Sequence, residues 1–179
     1  MNIDPRSGLL DVARQVPSPN CDARPAGTEI DLLVIHNISL PPGCFKGKAI
    51  DCFFTNTLDI EADPYYAGIA DMQVSAHLLV RRDGSIIQYV SFHQRAWHAG
   101  ESCFQGRLRC NDYSIGIELE GTDELAYEDV QYQVLQRLIT LLVRTYPGIR
   151  QDRIVGHSDI AAGRKTDPGP AFDWSKIQT

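Results

Sequence analysis

Apolar side chains recur at helical spacing between residues 128 and 146, where Val130, Val134, Leu135, Leu138, Leu141 and Leu142 share one stripe. Pro147-Gly148 then ends the pattern. The spacing predicts a helix that lays this stripe on a core. Elsewhere the pattern is that of strands. "DLLVIH" (31–36) is a continuous apolar run with β-branched residues, the mark of a buried strand. "SAHLLVRRDGSIIQYV" (75–90) reads as two strands around Asp83-Gly84, a dipeptide suited to a tight hairpin turn. "YSIGIELEG" (113–121) alternates and predicts another strand, and "RIVGH" (153–157) a short last one. A short helix is predicted around "AIDCFFTNTL" (49–58), inside a stretch from 37 to 73 that is rich in turn formers. There are no repeats and no linker. The order predicts a single domain over residues 1–179 of α/β (α+β type), a central mixed sheet flanked by helices.

Composition narrows the classes. A chain of 179 residues with 43% hydrophobic and 22% charged residues can bury a sizeable core as a soluble globular domain. A net charge of -6 gives no electrostatic case for nucleic acid or an anionic membrane. No apolar run approaches the ~20 residues of a membrane helix. The start, "MNIDPRSGLLDVARQ", lacks a basic segment followed by an apolar one, so no secretory signal is read. Five cysteines (Cys21, Cys44, Cys52, Cys103, Cys110) without a CxxC pair fit reduced thiols and a cytoplasmic setting. No obligate protein partner is evident.

Candidate chemistry gathers at strand ends. His36 closes the first strand and His157 the last. If those strands run side by side in one direction, their imidazoles meet at one edge of the sheet. Asp167 follows in the irregular segment "GHSDIAAGRKTDPGP" (156–170) after a loop long enough to return. Two imidazoles and a carboxylate form a frequent catalytic zinc set that leaves a position for water. Taken singly, each histidine reads more readily as a hydrogen-bonded structural side chain than as a ligand, and Asp167 equally as a turn residue before Pro168-Gly169. In "SIGIELEG", Ile115, Ile117 and Leu119 share one face, and Gly116, Glu118 and Glu120 the other. Glu120 is expected to be solvated at an edge. Glu118, nearer mid-strand, needs a partner or a task, and beside a zinc site that task is general base. Lys165 points to the same side as Asp167 if the segment is extended, where an ammonium would stabilise an oxyanion; otherwise it is an exposed lysine. His77, mid-strand, reads as structural.

"VIHNISLPPG", "VSAHLLVRRDGSIIQYV", "RAWHAG", "CNDYSIGIELEGTD" and "GHSDIAAGRKTDPGPAFDW" together resemble the zinc-dependent N-acetylmuramoyl-L-alanine amidases. More narrowly they resemble the cytoplasmic anhydro-N-acetylmuramyl-L-alanine amidases that recycle cell-wall fragments. The resemblance runs from about Pro17 to Trp174. It implies Zn²⁺ on His36, His157 and Asp167, a catalytic Glu118 and a catalytic Lys165. It implies a fold shared with peptidoglycan recognition proteins, and a small anhydromuramyl peptide as substrate. Asn37, Trp97, His98 and Arg109 fall in matching stretches and are expected to line the substrate groove. The family pattern often has a basic residue near Gln73, a departure here. Two other readings stand beside this one. They are a fragment-binding module of the same fold, which would lack a complete metal set, and a secreted amidase acting on intact wall.

Overall fold

The computed structural model describes residues 1–177. Its strands are β1 (Arg14–Gln15), β2 (Cys21–Ala23), β3 (Leu32–Ile38), β4 (Leu78–Val80), β5 (Ile86–Gln88), β6 (Gln94–Ala96), β7 (Cys103–Phe104), β8 (Arg107–Leu108), β9 (Ser114–Glu120) and β10 (Ile154–Gly156). Its α-helices are α1 (Ala49–Phe54), α2 (Pro64–Ala67), α3 (Asp129–Thr145) and α4 (His157–Ile160). A six-stranded sheet in the order β1-β5-β4-β9-β3-β10 forms the centre. β4, β9, β3 and β10 run parallel, β5 is antiparallel to β4, and β1 is parallel to β5. The sheet is therefore mixed, as the sequence predicts. β2–β6 and β7–β8 form two small ribbons outside it.

The central strands are apolar on both faces because both faces are covered. On one side Ile115, Ile117 and Leu119 pack with Leu135, Leu138, Ile139 and Leu142 of α3. Leu135, Leu138, Leu141 and Leu142 of the predicted stripe are buried there and Val134 is partly so, but Val130 is exposed and Ile139 takes a place in the core; α3 stops at Thr145, before Pro147. On the other side Leu79 and Ile87 pack with Ile50, Phe53 and Phe54 of α1, and Leu32 and Val34 with Cys110 and Tyr113. Gln131 ties α3 to the sheet. Its side-chain oxygen accepts from Glu128 N at the helix start (3.0 Å), and its amide donates to Val80 O and Glu120 O (3.2 and 3.1 Å). The predicted hairpin turn is present. Gly84 has φ +81° and lies so close under α3 that a Cβ would fall 2.7 Å from Val130 Cγ2.

Three expectations change. The last strand ends at Gly156, and His157 begins the one-turn α4, whose first turn is closed by Gly156 N donating to Asp159 Oδ2 (2.7 Å). The first strand does not close at His36: β3 runs on to Ile38, so His36 lies within it, paired with Glu118 of β9. Glu120 is not solvated: only 1% of the residue is exposed. Its Oε1 accepts from Arg81 Nη1 (2.8 Å) and Lys46 N (2.8 Å), and its Oε2 from Arg82 N (3.2 Å). A carboxylate with an arginine and two backbone amides is stable under the loop that would otherwise leave it uncompensated. His77 is structural as expected: Nδ1 accepts from Gly116 N (3.0 Å) and Nε2 faces Gln94 O (3.1 Å). The five cysteines are free thiols. No helix among the described residues is long and apolar enough to cross a membrane.

Removing one partner of a buried ion pair strands the other charge, which costs about 3–5 kcal/mol. Glu120→Ala should lose stability of that order in urea unfolding. A loss below about 1 kcal/mol, the range of exposed pairs, would show that Asp51, whose Oδ1 lies 3.6 Å from Arg81 Nη2, or water compensates Arg81.

Candidate active site

The site is set by strand register. In the parallel pair β3–β9, His36 lies opposite Glu118 and Val34 opposite Gly116. In β10–β3, Gly156 lies opposite Ile35, so His157 arrives beside His36. These parallel neighbours are what the first and last strands had to be for the two imidazoles to meet. Asp167 returns from the loop after α4. Ser158 N donates to Asp167 O (3.0 Å), and Pro168 O accepts from Asn37 Nδ2 (3.1 Å) and Tyr127 OH (2.7 Å). The loop is irregular but pinned from three directions.

Three donor atoms converge. His36 Nδ1 lies 3.0 Å from His157 Nδ1 and 3.0 Å from Asp167 Oδ2, and His157 Nδ1 lies 3.1 Å from Asp167 Oδ2. Among the described residues this is the cluster of His, Cys, Asp and Glu side chains that could hold a metal ion. The spacing is close to the roughly 3.3 Å between neighbouring ligands of a tetrahedral ion with bonds of about 2.0–2.1 Å. The far nitrogens are also occupied: His36 Nε2 meets His98 Nδ1 (2.9 Å) and His157 Nε2 meets Ala99 O (3.1 Å). Ligating histidines are held in this way in metal sites. The donor set is two nitrogens and one oxygen, which suits zinc. The protein fits the ion.

Electrostatics agree with a site built for a cation. Burial lowers the His36 imidazole to about 4, against the pull of Asp167, so that it is neutral and able to ligate. For Asp167, burial raises the carboxyl, yet its close contacts with His157 and His36 outweigh it and the net shift is downward. Glu118 is pushed well above the usual carboxylate range by burial first and by the charge of Asp167 second, with Lys165 acting against both. Its Oε2 is buried and has no hydrogen-bond partner. An unpartnered carboxylate beside a metal triad is a group kept for a proton.

These residues open onto a cleft of about 560 Å³ that includes His36, Glu118, His157, Lys165 and Asp167. One wall is apolar, with Leu40, Phe53, Ile69, Met72 and Val74; the other carries Thr122, Asp123 and Thr166. Lys165 and Asp167 therefore do face one space. The four groove candidates separate. Asn37 lines the cleft, but its amide is committed to Asp123 Oδ1 (2.7 Å) and Pro168 O, so it braces the loop that carries Asp167. His98 lines the inner end of the cleft with both ring nitrogens engaged, Nδ1 with His36 and Nε2 with Ser114 Oγ (3.0 Å). Trp97 and Arg109 are not in this cleft. They line a separate depression of about 310 Å³ with Arg95, Asn111 and Asp112. β6 ends at Ala96 and the chain bends at Trp97, which leaves Trp97 on that depression while His98 turns to the cleft. Arg109 is exposed and pairs with Asp112 (3.3 Å). Sequence reading did not find the supports Ser114, Tyr127 and the Ala99 carbonyl, because a hydroxyl at a strand start or a backbone oxygen carries no pattern.

Comparison with known proteins adds the chemistry's name. A sequence model of the family "N-acetylmuramoyl-L-alanine amidase" matches residues 26–170. The 1,6-anhydro-N-acetylmuramyl-L-alanine amidase AmpD of Escherichia coli K12 is 59% identical over 171 residues, covering 96% of this chain and 93% of that protein. The crystal structure of an AmpD selenomethionine derivative superposes with a TM-score of 0.95 at 58% identity, over 99% of this chain and 97% of that one. The E. coli amidase AmiD was solved in complex with the substrate anhydro-N-acetylmuramic acid-L-Ala-D-γ-Glu-L-Lys. It matches with a TM-score of 0.60 at 32% identity, over 87% of this chain and 59% of that one. Parallel central strands that bring His36, His157, Asp167 and Glu118 to one cleft, and a family match over most of its length, place this chain in the N-acetylmuramoyl-L-alanine amidase family.

Proposed function

We infer that the chain is a zinc amidase that hydrolyses the amide between the lactyl group of 1,6-anhydro-N-acetylmuramic acid and L-Ala of the stem peptide. The setting inferred for it is the cytoplasm, in the recycling of wall fragments. The observation that carries the reading is the convergence of His36, His157 and Asp167, with Glu118 opposite His36 in the β3–β9 pair. The near-full-length likeness to AmpD supports the anhydro sugar. The ligand in the AmiD complex supports a cleft of this fold as the seat of such a peptide. A fragment-binding module has no use for a complete triad with an unpartnered glutamate beside it.

The roles follow from position. A zinc ion held by His36 Nδ1, His157 Nδ1 and Asp167 Oδ2 supplies Lewis-acid polarisation of the scissile carbonyl and acidifies water. Glu118 accepts a proton from the attacking water through its free carboxylate. Burial shifts its pKa upward, and a carboxylate so shifted holds a proton more strongly than a solvated one. The ammonium of Lys165 faces the same space and stabilises the developing oxyanion. The C–N bond then breaks, and the proton held on Glu118 passes to the departing L-Ala amine. The apolar wall excludes water from the bound sugar and strengthens these charges.

The purified protein should carry about one zinc per chain. His36→Ala, His157→Ala and Asp167→Ala should each weaken zinc binding and abolish turnover, read by metal analysis and by mass spectrometry of the products. Full turnover in a chelated, metal-free sample would refute the metal's role. Glu118→Gln should retain zinc and lose roughly 10²–10⁴ in kcat; loss of the metal in that variant would make Glu118 a ligand instead. For substrate choice, kcat/KM should be higher on the anhydro sugar than on reducing muramic acid carrying the same peptide. Buried polar mismatches set such selectivity, at tenfold per ~1.4 kcal/mol. Equal values would favour a general muramoyl amidase.

A further inference from the structure

Behind His36 lies a hydrogen-bond chain whose direction is fixed at its far end. Ser114 Oγ is 2.6 Å from Cys110 O. A carbonyl has no proton, so the Ser114 hydroxyl must donate there; otherwise two acceptors would be pressed together. Its single proton is then spent, and Ser114 Oγ can only accept from His98 Nε2 at 3.0 Å. His98 is buried, the groups that act on it most (His36, His77, His157 and Arg24) offer no negative charge, and its ring is neutral with the proton on Nε2, facing Ser114 Oγ. Its Nδ1 is then a lone pair. His36 Nε2, 2.9 Å away, must donate to it. A neutral His36 with its proton on Nε2 has a bare Nδ1, and that atom is the one aimed at His157 and Asp167.

The protein spends structure on this chain. Gly116 lies opposite Val34, and a Cβ there would fall 2.5 Å from His98 Cγ and 2.6 Å from His98 Nδ1, so the glycine is the seat of the ring. The backbone of the ring's own loop is held by Asn111, whose Oδ1 accepts from His98 N (3.1 Å) and Ala99 N (2.8 Å). The same loop presents Ala99 O to His157 Nε2, which sets the second histidine in the same tautomer. Ser114 is fully buried and touches neither the cleft nor the triad.

We propose that Ser114 and His98 are positioning residues: the one-way chain Cys110 O, Ser114 Oγ, His98, His36 fixes His36 as the Nε2–H tautomer and leaves Nδ1 bare for the metal. This rests on reading His36 as a ligand. It gives His98 a task other than contact with substrate.

The test uses the full chain, labelled with ¹⁵N-histidine and stripped of metal. Long-range ¹H–¹⁵N spectra assign the tautomer of each ring. His36 and His98 should both show Nε2–H. A dominant Nδ1–H form at either would overturn the chain. Zinc affinity is then measured by chelator competition. Ser114→Ala and His98→Leu should each weaken it by roughly 10–100-fold, the usual effect of removing the partner of a metal-bound histidine. In Ser114→Ala the His36 spectrum should shift toward a mixture of tautomers. His98→Asn, whose side-chain oxygen can replace Nδ1 as acceptor, should restore affinity to within a few-fold of the wild type. Unchanged affinity in both Ser114→Ala and His98→Leu would overturn the proposal, as would equal loss in His98→Asn and His98→Leu. If the wild type bound no zinc, the metal reading would fall, and the ring-nitrogen spectra would decide the chain by themselves.

Discussion

The parallel pairing of β3 between β9 and β10 is the constraint on which the site depends. β-Strand side chains alternate, so a slip of one residue would carry His36 through the sheet to the α3 face. The register is held because that face is packed. Leu33 and Ile35 of β3 and Ile115, Ile117 and Leu119 of β9 are fully buried against α3. The residues between them, Val34 and His36 on β3 and Gly116 and Glu118 on β9, are thereby committed to the other side. Core packing on one face thus sets how His36 and Glu118 stand beside each other on the other.

One face of β9 shows how three residues at alternate positions take three tasks from their neighbours. Gly116 makes room for the ring of His98, Glu118 opens into the cleft, and Glu120 closes an ion pair with Arg81. The two glutamates are buried alike, yet one has an arginine and backbone amides and the other has a free oxygen. Partnership, not burial, divides a structural carboxylate from a reactive one. The same reasoning applies to Asp167, whose two histidine contacts outweigh the cost of its burial.

Much of this was legible in the chain because local patterns and contacts coincide. The α3 helix, the Asp83-Gly84 turn and the buried first strand each follow from periodicity or turn chemistry, and each is present, although the strand runs on past His36 to Ile38 and Val130 of the stripe is exposed. What was not legible depends on partners distant in sequence. Glu120 read as a solvated edge residue because its partners, Arg81 and Lys46 N, come from other segments. Gly116 had no visible purpose until His98 was placed over it. β1 and β2 have too few residues to show any period. Asn37, Trp97, His98 and Arg109 share motif stretches, but sharing a stretch does not fix the direction of a side chain. Two of them face the cleft and two line a depression apart from it.

The central claim is that His36, His157 and Asp167 hold a zinc ion. Zinc-edge X-ray absorption on the loaded protein tests it most directly. The account predicts a shell of nitrogen and oxygen alone at about 2.0–2.1 Å, with the outer scattering of two imidazoles. Sulfur at about 2.3 Å, drawn from any of the free cysteines, or the scattering of a single imidazole, would contradict it.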